Sequence, residues 1–160
     1  TYEGILHDAS NPVAGGPIRV EGRGSHEIGD FLVDVTPPPV PRLLEVAGQP
    51  VTGGYTSIDD WDTHLPVQWL AAEPAAQPSQ QVYIELVALR FDRIVSLRCV
   101  TRDDGSAGLP REGVAEVGKA ATPDASVHLI LRRIARSSFG TAGIHTGDVF
   151  FVSRDSLIVQ

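Results

Sequence analysis

The segment Asp59-Asp60-Trp61-Asp62-Thr63-His64 holds the densest set of chemistry-bearing side chains in the sequence. Three carboxylates and a hydroxyl are the oxygen ligands that hard cations take. His64 adds an imidazole that could bind zinc if partners came from elsewhere. A carboxylate beside an imidazole is also a pairing that general acid–base catalysis uses. The spacing departs from the calcium-loop register, because the third acid and the glycine of Asp-x-Asp-x-Asp-Gly are missing. The competing reading is a polar loop whose aspartates bond their own backbone in Asx-turns. We therefore expect no resident metal or cofactor and assign no catalytic residue.

Tyr55, Trp61 and Trp69 flank this segment among Gly, Ser, Thr and Asp. Rigid aromatics set among small polar residues are what recognition loops use, for glycans or for proteins. The alternative is that both tryptophans lie beneath long loops as core. The candidate ligand-binding set is Tyr55, Asp59, Asp60, Trp61, Asp62, His64 and Trp69.

Other constellations carry less. His26-Glu27 does not continue into His-Glu-x-x-His, and Ser25, His26 and Asp30 lack a nucleophile elbow. His128 and His145 lie in or near apolar segments, where a cupin-like barrel would place metal ligands. Gly22-Arg23-Gly24 begins like a dinucleotide fingerprint, but residue 27 is Glu and no helix follows; no Walker A sequence occurs. Cys99, the single cysteine, cannot form an internal disulfide and reads as a small buried hydrophobe. Arg132, Arg133 and Arg136 form the one basic cluster. With a net charge of −7 the chain opposes a phosphate backbone, so we expect a solvated face there and no nucleic-acid partner.

These side chains need a scaffold, and 160 residues with 42% hydrophobic content suffice for one domain over 1–160 with its own core. No apolar run approaches the ~18–20 residues of a membrane-spanning helix. The first residues do not form a signal peptide. The chain starts at Thr1 and contains no Met, so we expect a piece cut from a larger protein.

The 16 glycines and 12 prolines set the rhythm of the elements. Tyr2–Leu6, Ile18–Glu21 and Phe31–Thr36 read as short strands, separated by turn chemistry at Asn11-Pro12 and Gly15-Gly16-Pro17. Thr36-Pro37-Pro38-Pro39-Val40-Pro41 prefers a stiff extended connector. From Leu43 to Gln80 breakers recur every few residues, which predicts long ordered loops facing outward, with Glu73–Pro78 as an exposed linker. Gln81–Arg102 is the strongest apolar segment and reads as strands with a turn at Asp92-Arg93; a hairpin signal follows at Asp103-Asp104-Gly105-Ser106. Thr122-Pro123-Asp124 carries a helix-start signature, though Val127, Leu129 and Leu131 alternate as a strand would. Val149–Val152 and Leu157–Val159 read as two strands.

The expected fold is therefore all-β and mainly antiparallel: a β-sandwich or barrel with long ordered loops and at most one short helix. The expected function is a non-enzymatic surface recognition or projection domain that binds a glycan or protein receptor. Concrete settings are the protruding domain of a non-enveloped virus capsid and a domain of a secreted adhesin, hence a virion surface or an extracellular location. Such domains often self-pair, and Phe150, Phe151, Leu157 and Ile158 are candidates for that contact. The alternative is a small cupin-like enzyme that uses the Asp59–His64 cluster.

Overall fold

The computed structural model describes residues 16–24, 26–72 and 81–160. The strand expected at 2–6, the Asn11-Pro12 turn, His7, Ser25 and the 73–78 linker lie outside these residues. Within them the fold is all-β, mostly antiparallel, with one short helix. The chain divides into two compact units.

Of the described residues, the first unit comprises 16–24, 26–39 and Ala135–Phe151. Here β1 (Ile18–Gly22) and β2 (Phe31–Val35) form an antiparallel ladder with Val20 opposite Val33. Phe31 stacks on Phe139, ring centroids 4.2 Å apart. Arg136 grips Asp148 through two hydrogen bonds of 2.9 and 2.8 Å, and its guanidinium lies 6.0 Å from the Phe150 ring centre.

The second unit comprises Val40–Ile134 and Val152–Gln160. A four-stranded sheet runs β4 (Gln49–Pro50), β3 (Arg42–Val46), β6 (Leu65–Leu70), β9 (Ser106–Leu109). A five-stranded sheet runs β5 (Tyr55–Thr56), β11 (Ile144–Val159), β10 (Ser126–Thr141), β7 (Gln81–Leu89), β8 (Ile94–Arg102), with residues 152–159 of β11 and 126–134 of β10 belonging to this unit. Both sheets bury side chains in one core, sandwich-like: Leu43, Val46 and Val67 from the first, Ile84, Leu86 and Leu129 from the second. Helix α1 (Arg111–Ala120) adds Val114, Val117 and Ala120 to that core. Glu112 in its first turn and Lys119 in its last complement the helix dipole.

Several expectations change. The Leu43–Gln80 stretch supplies the core strands β3 and β6, with Leu43, Val46, Leu65, Val67 and Trp69 buried, rather than outward excursions alone. Pro66 lies beyond the last β3–β6 pair, Val46↔Val67, so it interrupts only the end of that ladder. The Asp103–Ser106 segment is a turn with Gly105 at φ +92°, but it does not close a hairpin. β8 pairs with β7 and β9 with β6, so this turn carries the chain from one sheet to the other. Thr122-Pro123-Asp124 forms a tight turn closed by Ala125 N–H to the Thr122 carbonyl at 2.8 Å, and the alternation of Val127, Leu129 and Leu131 continues as β10. The helix lies just before that turn. The two expected C-terminal strands are one, β11.

The alternation that buries Leu129 and Leu131 also carries Arg133 inward. Its guanidinium binds both oxygens of Asp103 at 2.6 and 3.1 Å, and both side chains are only 4% exposed. Arg133 also donates to the Leu70 carbonyl, and the Trp69 indole N–H donates to Asp103 Oδ1 at 2.8 Å. Burial acts to raise the Asp103 carboxyl pKa. The hydrogen bonds from Arg133 and Trp69, with the Arg133 charge, outweigh it and hold the group below the usual range.

A depressed carboxylate stabilises the fold fully above the ordinary aspartate value, ~3.9, and loses that contribution as pH falls through the lower folded-state value. Urea titrations should show this loss below about pH 4. Arg133→Met strands a buried carboxylate and should cost about 3–5 kcal/mol at pH 7, with a smaller loss in acid where Asp103 is neutral. Equal stability of the variant and the parent at pH 7 would contradict the role given to this pair.

Candidate functional site

The Asp59–His64 loop follows β5 and is anchored by buried Ile58. Asp60 Oδ1 accepts the Asp62 backbone N–H at 2.8 Å, the local Asx bond that short polar loops favour. Asp62 turns its carboxylate to Arg111, the first residue of α1, with contacts of 3.1 and 2.7 Å. Hydrogen bonding from Arg111, then its charge, holds the Asp62 carboxyl below the usual range, and the same pair raises Arg111. Trp61 is half-buried against the core and lies on Gly118 of the helix. A Cβ at Gly118 would sit 2.5 Å from the Trp61 Cβ and 2.8 Å from its Cγ, so a glycine there lets loop and helix approach. Asp59 and His64 are exposed. The loop is a strap tied to the helix at Asp62 and Trp61. Among the described residues no three His, Cys, Asp or Glu side chains are placed to hold a metal ion.

The other candidates separate. Trp69 is 2% exposed with its N–H on Asp103, which corrects its assignment as a contact residue: strand alternation points it into the core. Tyr55 is 47% exposed on β5. The basic cluster divides because neighbouring strand residues face opposite sides. Arg132 pairs with Glu85 at 2.9 Å, Arg133 is buried on Asp103, and Arg136 pairs with Asp148. His128 shares a hydrogen bond with Ser126, and His26 and His145 are exposed. Asp30 accepts the Gly24 N–H at 2.7 Å, a loop bond. Cys99 is half-buried on the face opposite Arg98, and burial pushes its thiol pKa up, away from reactivity.

Two surface features were not singled out by the residue patterns. The first is the β7–β8 hairpin end. Arg90 N–H bonds the Arg93 carbonyl at 2.9 Å and closes the turn, and Arg90 also meets Asp92 and Asp124 at 3.2 and 3.7 Å. Phe91 at the tip is fully exposed, and Leu89 and Ile94, paired across the strands, are 39% and 70% exposed. The tell-tale is a phenylalanine at a turn position, framed by arginines. The second feature is a cleft of about 410 Å³ lined by Arg42, Leu44, Val51, Asp155, Ser156 and Leu157. Its rim includes Gly53 and Gly54, at φ +62° and +82°, in a turn that Thr52 and Tyr55 close with reciprocal backbone bonds. Asp155 binds two backbone N–H groups, those of Leu43 and Ser156, at 2.8 and 2.9 Å.

No protein-family model, curated protein or solved structure matches the chain. Among the described residues no helix is long and apolar enough to cross a membrane.

Gly118→Ala should lift Trp61 from the helix. The expected readout is a red-shifted tryptophan emission with greater quenching by acrylamide, while buried Trp69 stays protected. Unchanged quenching would show that the strap does not depend on that approach.

Proposed function

We propose that the chain is a non-enzymatic recognition domain whose β7–β8 hairpin end docks a protein partner. The observation that carries this reading is the group Leu89, Phe91 and Ile94, exposed together on a turn that its backbone bond holds in shape. Single exposed apolar residues are ordinary on protein surfaces; grouped ones around an aromatic are what interface anchors look like. Arg93, two residues after Phe91, makes no ion pair among the described residues. The complementary partner surface is an apolar pocket with an acidic rim. The setting we assign is a surface projection of the capsid or adhesin kind, at a virion surface or outside the cell. Self-pairing is the other outcome to be read. No catalysis is assigned to the Asp59–His64 loop, because its Asp62 and Trp61 are engaged with α1.

The test is a microarray of extracellular proteins probed with the purified domain, with sedimentation equilibrium run beside it. We expect a saturable hit that the double change Phe91→Ser, Ile94→Ser weakens about 30-fold or more, the scale of losing an interface anchor worth ~2 kcal/mol. The variant should keep its Tm, since both side chains already face solvent. Binding unaffected by the double change, or no binding to any protein, refutes the reading. A dimer that the double change dissolves would make the partner a second copy.

A further inference from the structure

We propose that the cleft between β3, the Gly53-Gly54 turn and the last residues of β11 is a carbohydrate subsite for a short neutral glycan. Its volume, about 410 Å³, falls in the range of small-ligand sites, roughly 300–1,000 Å³. Its lining carries two charged groups. Arg42 offers a fork of donors and makes no ion pair among the described residues. Asp155 offers acceptor capacity, because each of its oxygens takes one backbone N–H and keeps a lone pair.

One guanidinium and one carboxylate give the cleft no net charge. That composition favours hydroxyl groups, which donate and accept, over a phosphate or a metal cation. Leu44 and Val51 supply the apolar surface that the C–H face of a sugar ring requires.

The cleft is preorganised. Two backbone N–H groups fix the Asp155 carboxylate, and the Ile158 N–H bonds the Gly54 carbonyl at 2.9 Å, which pins the glycine turn to β11. A ligand would meet groups already in place, which lowers the ordering cost of binding. The hairpin reading above does not enter this argument.

The test is an array of neutral and acidic glycans probed with the intact domain, followed by calorimetry on the best neutral hit, on free monosaccharides and on inorganic phosphate. We expect a neutral glycan to bind, phosphate not to bind, and free monosaccharide to bind more weakly than the chain. Arg42→Ala alters an exposed cleft group and should weaken the glycan at least tenfold, while Phe91→Ser with Ile94→Ser leaves it unchanged. Asp155→Asn also touches the backbone of β3, so its result counts only where its Tm matches the parent. Phosphate or acidic glycans as the sole ligands, neutral binding that survives Arg42→Ala, or no glycan bound at all would each overturn the assignment.

Discussion

The Arg133–Asp103 ion pair, with the Trp69 indole attached to it, is the constraint from which the second unit is organised. A guanidinium and a carboxylate without water are costly to hold, and each is tolerable only because the other meets it at close range. Asp103 lies in the turn that leads from β8 to β9. Arg133 lies on β10, and the Leu70 carbonyl and Trp69 belong to β6. The pair therefore ties the crossing turn to a strand of each sheet. A register slip of one residue on β10 would point Arg133 outward and leave Asp103 and the indole N–H unpaired inside. Apolar packing tolerates near-equivalent arrangements, whereas this network has one solution. We assign it specificity of register more than net stability.

That commitment removes Trp69 from the surface, and the neighbouring loop follows the same logic on a smaller scale. Asp62 faces solvent and could have served chemistry, yet it closes on Arg111 at the start of α1. Trp61 approaches the helix where Gly118 has no side chain. The pattern extends through the described residues: Asp34 with Arg19 and Asp148 with Arg136 are further carboxylates held low by hydrogen bonds from a guanidinium. Carboxylates that combine hydrogen bonding and charge in this way are fixed as anions. They serve poorly as proton donors near neutral pH.

The all-β character was legible in the alternation of Val82, Ile84 and Leu86, which bury as their spacing predicts, whereas Val127, Leu129 and Leu131 alternate as a strand would but follow a helix-start signature that left the segment open. The helix was not legible. Gly113 and Gly118 each carry a propensity cost of about 1 kcal/mol relative to alanine, and only their close packing against Leu97 and Trp61 accounts for them. Thr122-Pro123-Asp124 misled for the converse reason, since the hydroxyl–carboxylate contact that could cap a helix serves a turn equally well, here Thr122 Oγ1 to Asp124 Oδ1 at 2.5 Å. One further signal lay in the sequence unused: the parity of Leu129 and Leu131 already places Arg133 inside, and an inward arginine demands a carboxylate. The cleft could not be read this way. It exists because β5 docks in parallel on β11 and because Leu43 reaches Asp155, pairings between residues far apart in the chain.

What remains available for recognition is set by subtraction of a physical kind. With the interior arginine paired and most surface arginines on carboxylates, the exposed groups that gain most from a new partner are those still solvated alone. On the two proposals, Phe91 would gain from losing water, and Arg42 from a ligand that offers acceptors without bringing a full charge beside Asp155. These are different chemistries held by different devices. The hairpin is fixed by one backbone bond across its turn, whereas the cleft is fixed by a carboxylate bound to two backbone N–H groups and by a glycine turn pinned to a strand. Surfaces prepared in such different ways need not share an occupant. β7 and β8, which present Phe91, are paired along their whole length, from Gln81↔Arg102 to Leu89↔Ile94.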